Sequence, residues 1–133
     1  MKVIVLGSGK IGSVIAQDFS KKYPDITMSD INIDRAKKAA KIIQGRAITL
    51  DTSKHQTMVK TLKEYDLVLS ALPGDYGYAA LKACIEAKKN VIDVSFTPEN
   101  PTLLDKDANN AGISIIPDCG VAPGLSNLCA RAS

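Results

Sequence analysis

The stretch VIVLGSGKIGSVIA near the start of the chain constrains its fold more than any other, because it joins two hydrophobic periods through three glycines. KVIVLG is a short continuous apolar run rich in β-branched residues, as a strand buried on both faces requires. Ile11, Val14, Ile15 and Phe19 then recur at helical spacing. Between the two runs, Gly7, Gly9 and Gly12 form G-x-G-x-x-G. In this strand-to-helix setting Gly7 permits the tight turn, Gly9 lets the backbone approach a pyrophosphate, and Gly12 allows close helix-to-sheet packing. The helix N-terminus then faces the anion. The same turn brings Ser8, Lys10 and Ile11 to the cofactor. The competing reading is a glycine-rich turn that only packs.

Strand and helix patterns alternate along the rest of the chain. DITMSD, GRAITLD, DLVLSALP, NVIDVS and ISIIP read as strands two to six. IDRAKKAAKII, SKHQTMVKTLKEY, the segment from Tyr76 to Ala87, and TLLDKDANNA read as the helices between them. This alternation predicts an α/β protein of the Rossmann type, a doubly wound parallel sheet of about six strands with helices on both faces. No linker or repeat divides residues 1–133, which are read as one nucleotide-binding domain.

Asp30 ends the second strand, eighteen residues beyond Gly12, close to the spacing at which an acidic side chain hydrogen-bonds an adenosine ribose. An anionic group there repels a 2′-phosphate, so the pair of signals favours NAD over NADP. Arg35 lies near enough in sequence to receive that phosphate if the loop folds back. The other reading of Asp30 is a helix cap, a role for which Asp34 is the better candidate. Asp51 follows the third strand, where such folds often place a group near the adenine, and it reads equally as a turn residue. Leu72 and Pro73 close the fourth strand on the ligand side of the sheet, with Tyr76 and Tyr78 just beyond. His55, the only histidine, sits in a polar helical stretch and reads as a surface residue.

The composition narrows the partners. A net charge of +3, spread through segments such as DRAKKAAK, gives no basic stripe, so no nucleic acid is expected. No apolar run reaches the length of about 18 residues that a membrane span needs, and glycines interrupt the N-terminal run before it could serve as a signal peptide. A cytoplasmic protein with no membrane partner is therefore expected. Cys84, Cys119 and Cys129 have neither the count nor the spacing of a disulfide framework or zinc site, so reduced thiols and no metal are expected.

The segment SIIPDCGVAPGLSN follows the sixth strand and so belongs to the ligand-facing edge. Gly120 and Gly124 supply backbone freedom, Pro123 stiffens the turn, and GLSNLCARA starts a further helix. GSGKIGSVIA, NVIDVS and SIIPDCGVAPGLSN taken together resemble the saccharopine dehydrogenase superfamily, most closely its L-lysine 6-dehydrogenase branch. The resemblance covers essentially the whole chain, and its D-x-G-x-x-P-G segment is more specific than the glycine fingerprint.

The resemblance implies an NAD-dependent oxidation of a C–N bond in an amino-acid or amine substrate of the lysine or saccharopine type. It implies Asp93 beside the substrate, Asp118 as another acid and Cys119 at a position where saccharopine-forming relatives carry cysteine. It further implies a second, substrate-binding and dimerisation domain, a homodimer in the full-length enzyme, and hence that this chain is a truncated form lacking activity by itself. Two other readings use the same fingerprint. One is an NAD-sensing module of a potassium channel or transporter, which has no need of the PDCGVAPG loop. The other is an S-adenosylmethionine methyltransferase, which the sixth parallel strand disfavours.

Overall fold

β1 (Val3–Leu6) is buried at every position, as is β2 (Ile26–Asp30) beside it, and this marks the middle of a sheet covered on both faces. The computed structural model describes residues 1–132. After β1 come α1 (Lys10–Ser20), β2, α2 (Ile33–Ile43), β3 (Arg46–Thr49), α3 (His55–Leu62) and β4 (Leu67–Ser70). α4 (Gly74–Ala87), β5 (Asn90–Asp93), α5 (Asp105–Ala111), β6 (Ile115–Ile116) and α6 (Leu125–Ala132) complete the chain. The six strands lie in the order β3-β2-β1-β4-β5-β6, and every neighbouring pair is parallel. This is the Rossmann-type α/β architecture, with the order of the strands reversing between β1 and β4.

The period of two along each strand divides the core between the faces. Val3, Val5 and Leu69 pack with Ala16 of α1 and with Ala36, Ala39 and Ala40 of α2. Ile4, Leu6, Val68 and Val91 pack with Met58, Val59 and Leu62 of α3 and with Leu81 and Cys84 of α4. Leu6, Leu62 and Leu81 are fully enclosed, a burial that stabilises by about 1.5–3 kcal/mol each.

The apolar spacing predicts α2 over the residues it occupies, but its cap differs. Asn32, not Asp34, accepts the N–H groups of Asp34 and Arg35, at 3.0 and 3.2 Å. Asp34 lies inside the first turn, where its charge suits the helix dipole. α3 is shorter than SKHQTMVKTLKEY suggests, because Ser53 folds back on Asp51 in a turn and Lys54 becomes the N-cap. The segment TLLDKDANNA splits into a 3-10 turn, Pro101–Leu104, followed by α5.

Candidate functional site

The carboxyl ends of β1, β2, β3 and β4 open into one cavity of about 680 Å³, within the range of small-molecule sites. Gly7, Gly9, Lys10 and Ile11 form one wall. Asp30, Ile31 and Arg35 form the second, residues 50–53 the third, and Leu72, Pro73 and Tyr76 the fourth. Ile11, Ile31 and Tyr76 present apolar surface there although they are 62%, 67% and 44% exposed.

The three glycines differ in what surrounds them. Gly7 has φ +91, and a Cβ on it would stand 2.7 Å from the Ala71 carbonyl oxygen. A Cβ on Gly12 would overlap the Gly7 carbonyl, so α1 lies against the turn. Gly9 has nothing within 4 Å of that position, so its openness faces the cavity and not the core. Gly9 also caps α1 without a side-chain hydrogen bond, which leaves the positive end of the helix directed at the cavity. A pyrophosphate fits that combination of an open glycine and an uncapped helix N-terminus.

Asp30 is buried, and its carboxylate is already engaged by the chain. Oδ2 accepts the Ser8 N–H at 3.0 Å and Oδ1 accepts the Asn32 N–H at 2.9 Å. The Arg35 guanidinium stands 3.6 Å from Oδ2. A carboxylate offers about four acceptor positions, so each oxygen retains one for a ligand hydroxyl. Ser8 turns its own hydroxyl inward to the Ser29 carbonyl at 3.1 Å. Ser8 and Gly12 therefore support the wall and do not line it. Asp51 is both a turn residue and part of the wall: its Oδ1 accepts the hydroxyl and the N–H of Ser53, at 2.6 and 3.0 Å. These two bonds hold its carboxyl below the usual carboxylate range.

Asp93, Asp118 and Cys119 lie outside this cavity, on the β5 and β6 side of the edge. Asp93 does not open onto that edge at all; it is 1% exposed, beneath α4. Asp118 adopts a left-handed conformation with φ 57, which aspartate tolerates better than most residues. The exposed Cys119 donates its N–H to the Asp93 carbonyl at 2.9 Å and its thiol toward the Ile116 and Pro117 carbonyls at 3.6 and 3.7 Å. Burial of the sulfur, then the charges of Asp93 and Asp118, push the thiol up. The loop closes on itself between Gly120 and Gly124, where φ +129 and the nearby Asp118 carbonyl require glycine. His55 stands on the outer surface, its Nε2 2.8 Å from Glu86 Oε2. Among the described residues, no helix is long and apolar enough to cross a membrane.

Sequence reasoning missed Ile31, Leu50, Thr52 and Ser53 as cavity walls. Ile31 carried a signal, since it follows an acidic strand end and is apolar outside the stripe of α2.

Comparison with known proteins agrees with this geometry. Residues 3–116 match the family model described as saccharopine dehydrogenase NADP binding domain. The chain is 30% identical over 131 residues to the mitochondrial alpha-aminoadipic semialdehyde synthase of Mus musculus, covering 97% of this chain and 14% of that protein. It is 27% identical over 129 residues to the saccharopine dehydrogenase [NADP(+), L-glutamate-forming] of Pyricularia oryzae, covering 96% of this chain and 29% of that protein. Among solved structures, the apo saccharopine dehydrogenase (L-Glu forming) of Saccharomyces cerevisiae superimposes with a TM-score of 0.86 at 27% identity, covering 97% of this chain and 29% of that one. The chain thus spans between 14% and 29% of the length of these relatives.

Proposed function

We propose, for a chain that belongs to the saccharopine dehydrogenase NADP binding domain family, that its cavity holds the adenosine diphosphate part of a nicotinamide dinucleotide. We further infer that NAD is preferred to NADP and that the chain serves an oxidoreductase acting on a C–N bond of an amino acid or amine. The observation that carries the reading is the pairing of an open Gly9 at the N-terminus of α1 with the Asp30 carboxylate across the same cavity.

The amides at the start of α1 suit the pyrophosphate, and the remaining acceptor positions on Asp30 suit a ribose diol. Leu72, Pro73 and Ile31 supply apolar surface for the base. The family's description names NADP, and Arg35 is the group that would favour it. Asp30 argues the other way, because a carboxylate within about 4 Å of a 2′-phosphate repels it by on the order of 1–4 kcal/mol. Arg35 is 57% exposed in its side chain and stands beside Asp30, so solvent screens its attraction while the buried carboxylate is screened less.

When bound, a nicotinamide supplies the acceptor for a hydride from the carbon that bears the amine. The chain's own contribution is to hold the dinucleotide at the sheet edge and to present Cys119 and Asp118 beyond β6 as donor and acceptor groups for the substrate's polar atoms. The saccharopine type of substrate is supported by the name of one relative, a saccharopine dehydrogenase, and the PDCGVAPG loop supports an amine or amino-acid substrate, of which lysine is one candidate. Calorimetric titration of the chain with NAD and with NADP tests the cofactor reading. Equal or tighter binding of NADP would overturn the preference, and no binding of either would overturn the site.

A further inference from the structure

β4 and β5 run in register, with Ser70 opposite Asp93. Both side chains point to the α4 face, as do Val68 and Val91 two positions earlier. Three polar residues are sealed there: Ser70 and Asp93 are each 1% exposed, and Ser95 is 5% exposed. The Ser95 hydroxyl donates to Asp93 Oδ2 at 2.6 Å. Asp93 Oδ1 and Ser70 Oγ have no protein partner. A sealed carboxylate with a single donor is unfavourable by itself, so its surroundings must show what it does. The Asp93 carbonyl accepts the Cys119 N–H at 2.9 Å, and the Ser70 carbonyl accepts the Val94 N–H at 3.0 Å. Gly77 of α4 lies so close to Ser95 and Thr97 that no Cβ fits between them. Asp93 thus ends β5 opposite the end of β4, bonds the loop after β6 through its carbonyl and, through Ser95, lies beneath α4.

We propose that Asp93 is a positioning residue: its buried carboxylate, held by Ser95, anchors the end of β5 under α4, while its backbone carbonyl holds the Cys119 N–H. It thereby sets where Cys119 stands at the edge of the sheet. The proposal rests on the reading of that edge as the cofactor edge, and it separates Asp93 from any group that meets substrate. Asp93 reaches Cys119 by two routes, the backbone hydrogen bond and its charge. The charges acting on the thiol come from Asp93 on β5 and Asp118 on its own loop, and both oppose the thiolate. Asparagine at position 93 would keep an acceptor for Ser95, offer a donor to Ser70 and remove the charge.

The test is alkylation of Cys119 by iodoacetamide across the thiol titration, together with amide exchange at Cys119, in a Cys129→Ser chain whose buried Cys84 stays unreactive. Asp93→Asn is expected to alkylate more than about twofold faster at a fixed pH below the midpoint, because a charge that opposes the thiolate is removed. Its NADH affinity, read by fluorescence, is expected to stay within about threefold of wild type, because the side chain meets no ligand. Ser95→Ala keeps the charge and is expected to leave the alkylation midpoint in place while exchange at the Cys119 amide quickens. An unchanged alkylation profile in Asp93→Asn would overturn the proposal, as would unchanged exchange in Ser95→Ala. Loss of NADH binding by Asp93→Asn in a folded chain would also overturn it. A wild-type chain that bound no nucleotide would instead overturn the cofactor reading, because the thiol and exchange measurements need no nucleotide.

Discussion

The backbone N–H of Ser8 donates to the carboxylate of Asp30 at 3.0 Å, so the glycine turn and the acidic end of β2 form one unit. The Asp30 carboxylate is thus a structural acceptor, and in the proposed site a ribose hydroxyl would use its remaining lone pairs. On the proposed reading the arrangement would pre-set both the turn that faces a pyrophosphate and the group that meets a ribose, lowering the ordering cost of binding.

Asp30→Ala is expected to lose on both counts. Stability should fall by about 1.5–3 kcal/mol, the range for hydrogen bonds to a charged group. NAD affinity should fall by roughly tenfold, and the gap between NAD and NADP should narrow as Arg35 is left without its partner. Thermal melts and calorimetry on the same preparations measure the two effects. A variant that keeps wild-type affinity and preference would remove Asp30 from the site.

Gly9 and Gly12 should separate binding from folding. Gly9→Val meets open space, so it is expected to fold with an unchanged circular dichroism spectrum and to lose nucleotide binding. Gly12→Val would drive a side chain into the Gly7 carbonyl, and several kcal/mol of destabilisation is expected, on the order of an overpacked core or more. Retained affinity in folded Gly9→Val would reduce the motif to a turn.

The fold was legible because its signals are local. The spacing of Ile33, Ala36, Ala39, Ala40 and Ile43 reports one buried helix face, and the switch from period two to period 3.6 marks each element. That Gly7, Gly9 and Asp30 would share one cavity was legible for the same reason, since they stand at or just beyond the ends of β1 and β2. Asp93 was not. Its place in the sequence, at a strand end, is equivalent to that of Asp30, and only the packing of Gly77 on Ser95 decides that one carboxylate is sealed under a helix while the other borders a cavity. The choice of Asn32 over Asp34 as cap was lost to a two-residue ambiguity in where α2 begins, which is typical of helix ends.

Glu86 provides a pH test away from the cofactor edge. Its hydrogen bond with His55 holds its carboxyl below the ordinary value of 4.5 against the opposing effect of burial, with a lesser contribution from the Gln56 bond. A depressed folded value means that the stabilisation is fully present above the unfolded value and is lost as pH falls through the folded one. Glu86→Gln is therefore expected to be slightly less stable than wild type at neutral pH, with the difference closing at acid pH. Both side chains are well exposed, so the effect should be small and reduced by salt. Chemical denaturation at neutral and acid pH reads it; a difference that grew on acidification would contradict the sign.

The orientation of the dinucleotide can be read through Cys119. β2 and β6 are four strand spacings apart in the sheet order, about 19 Å at the usual interstrand distance. A mononucleotide held at Asp30 therefore does not reach the loop after β6, whereas the nicotinamide half of a dinucleotide extended along the edge would. The thiol is exposed in the chain alone, so it can report that arrival. Saturating NADH is expected to slow alkylation of Cys119 by roughly tenfold or more, because a reagent then reacts only with the small fraction of unliganded chain. Adenosine monophosphate, bound at the same Asp30 end, is expected to leave the rate within about twofold of the free chain, since it occupies no space near β6. Comparable protection by the mononucleotide would place the adenine near Cys119 and reverse the dinucleotide. No protection by NADH at a concentration that calorimetry shows to be saturating would remove the PDCGVAPG loop from the nicotinamide end.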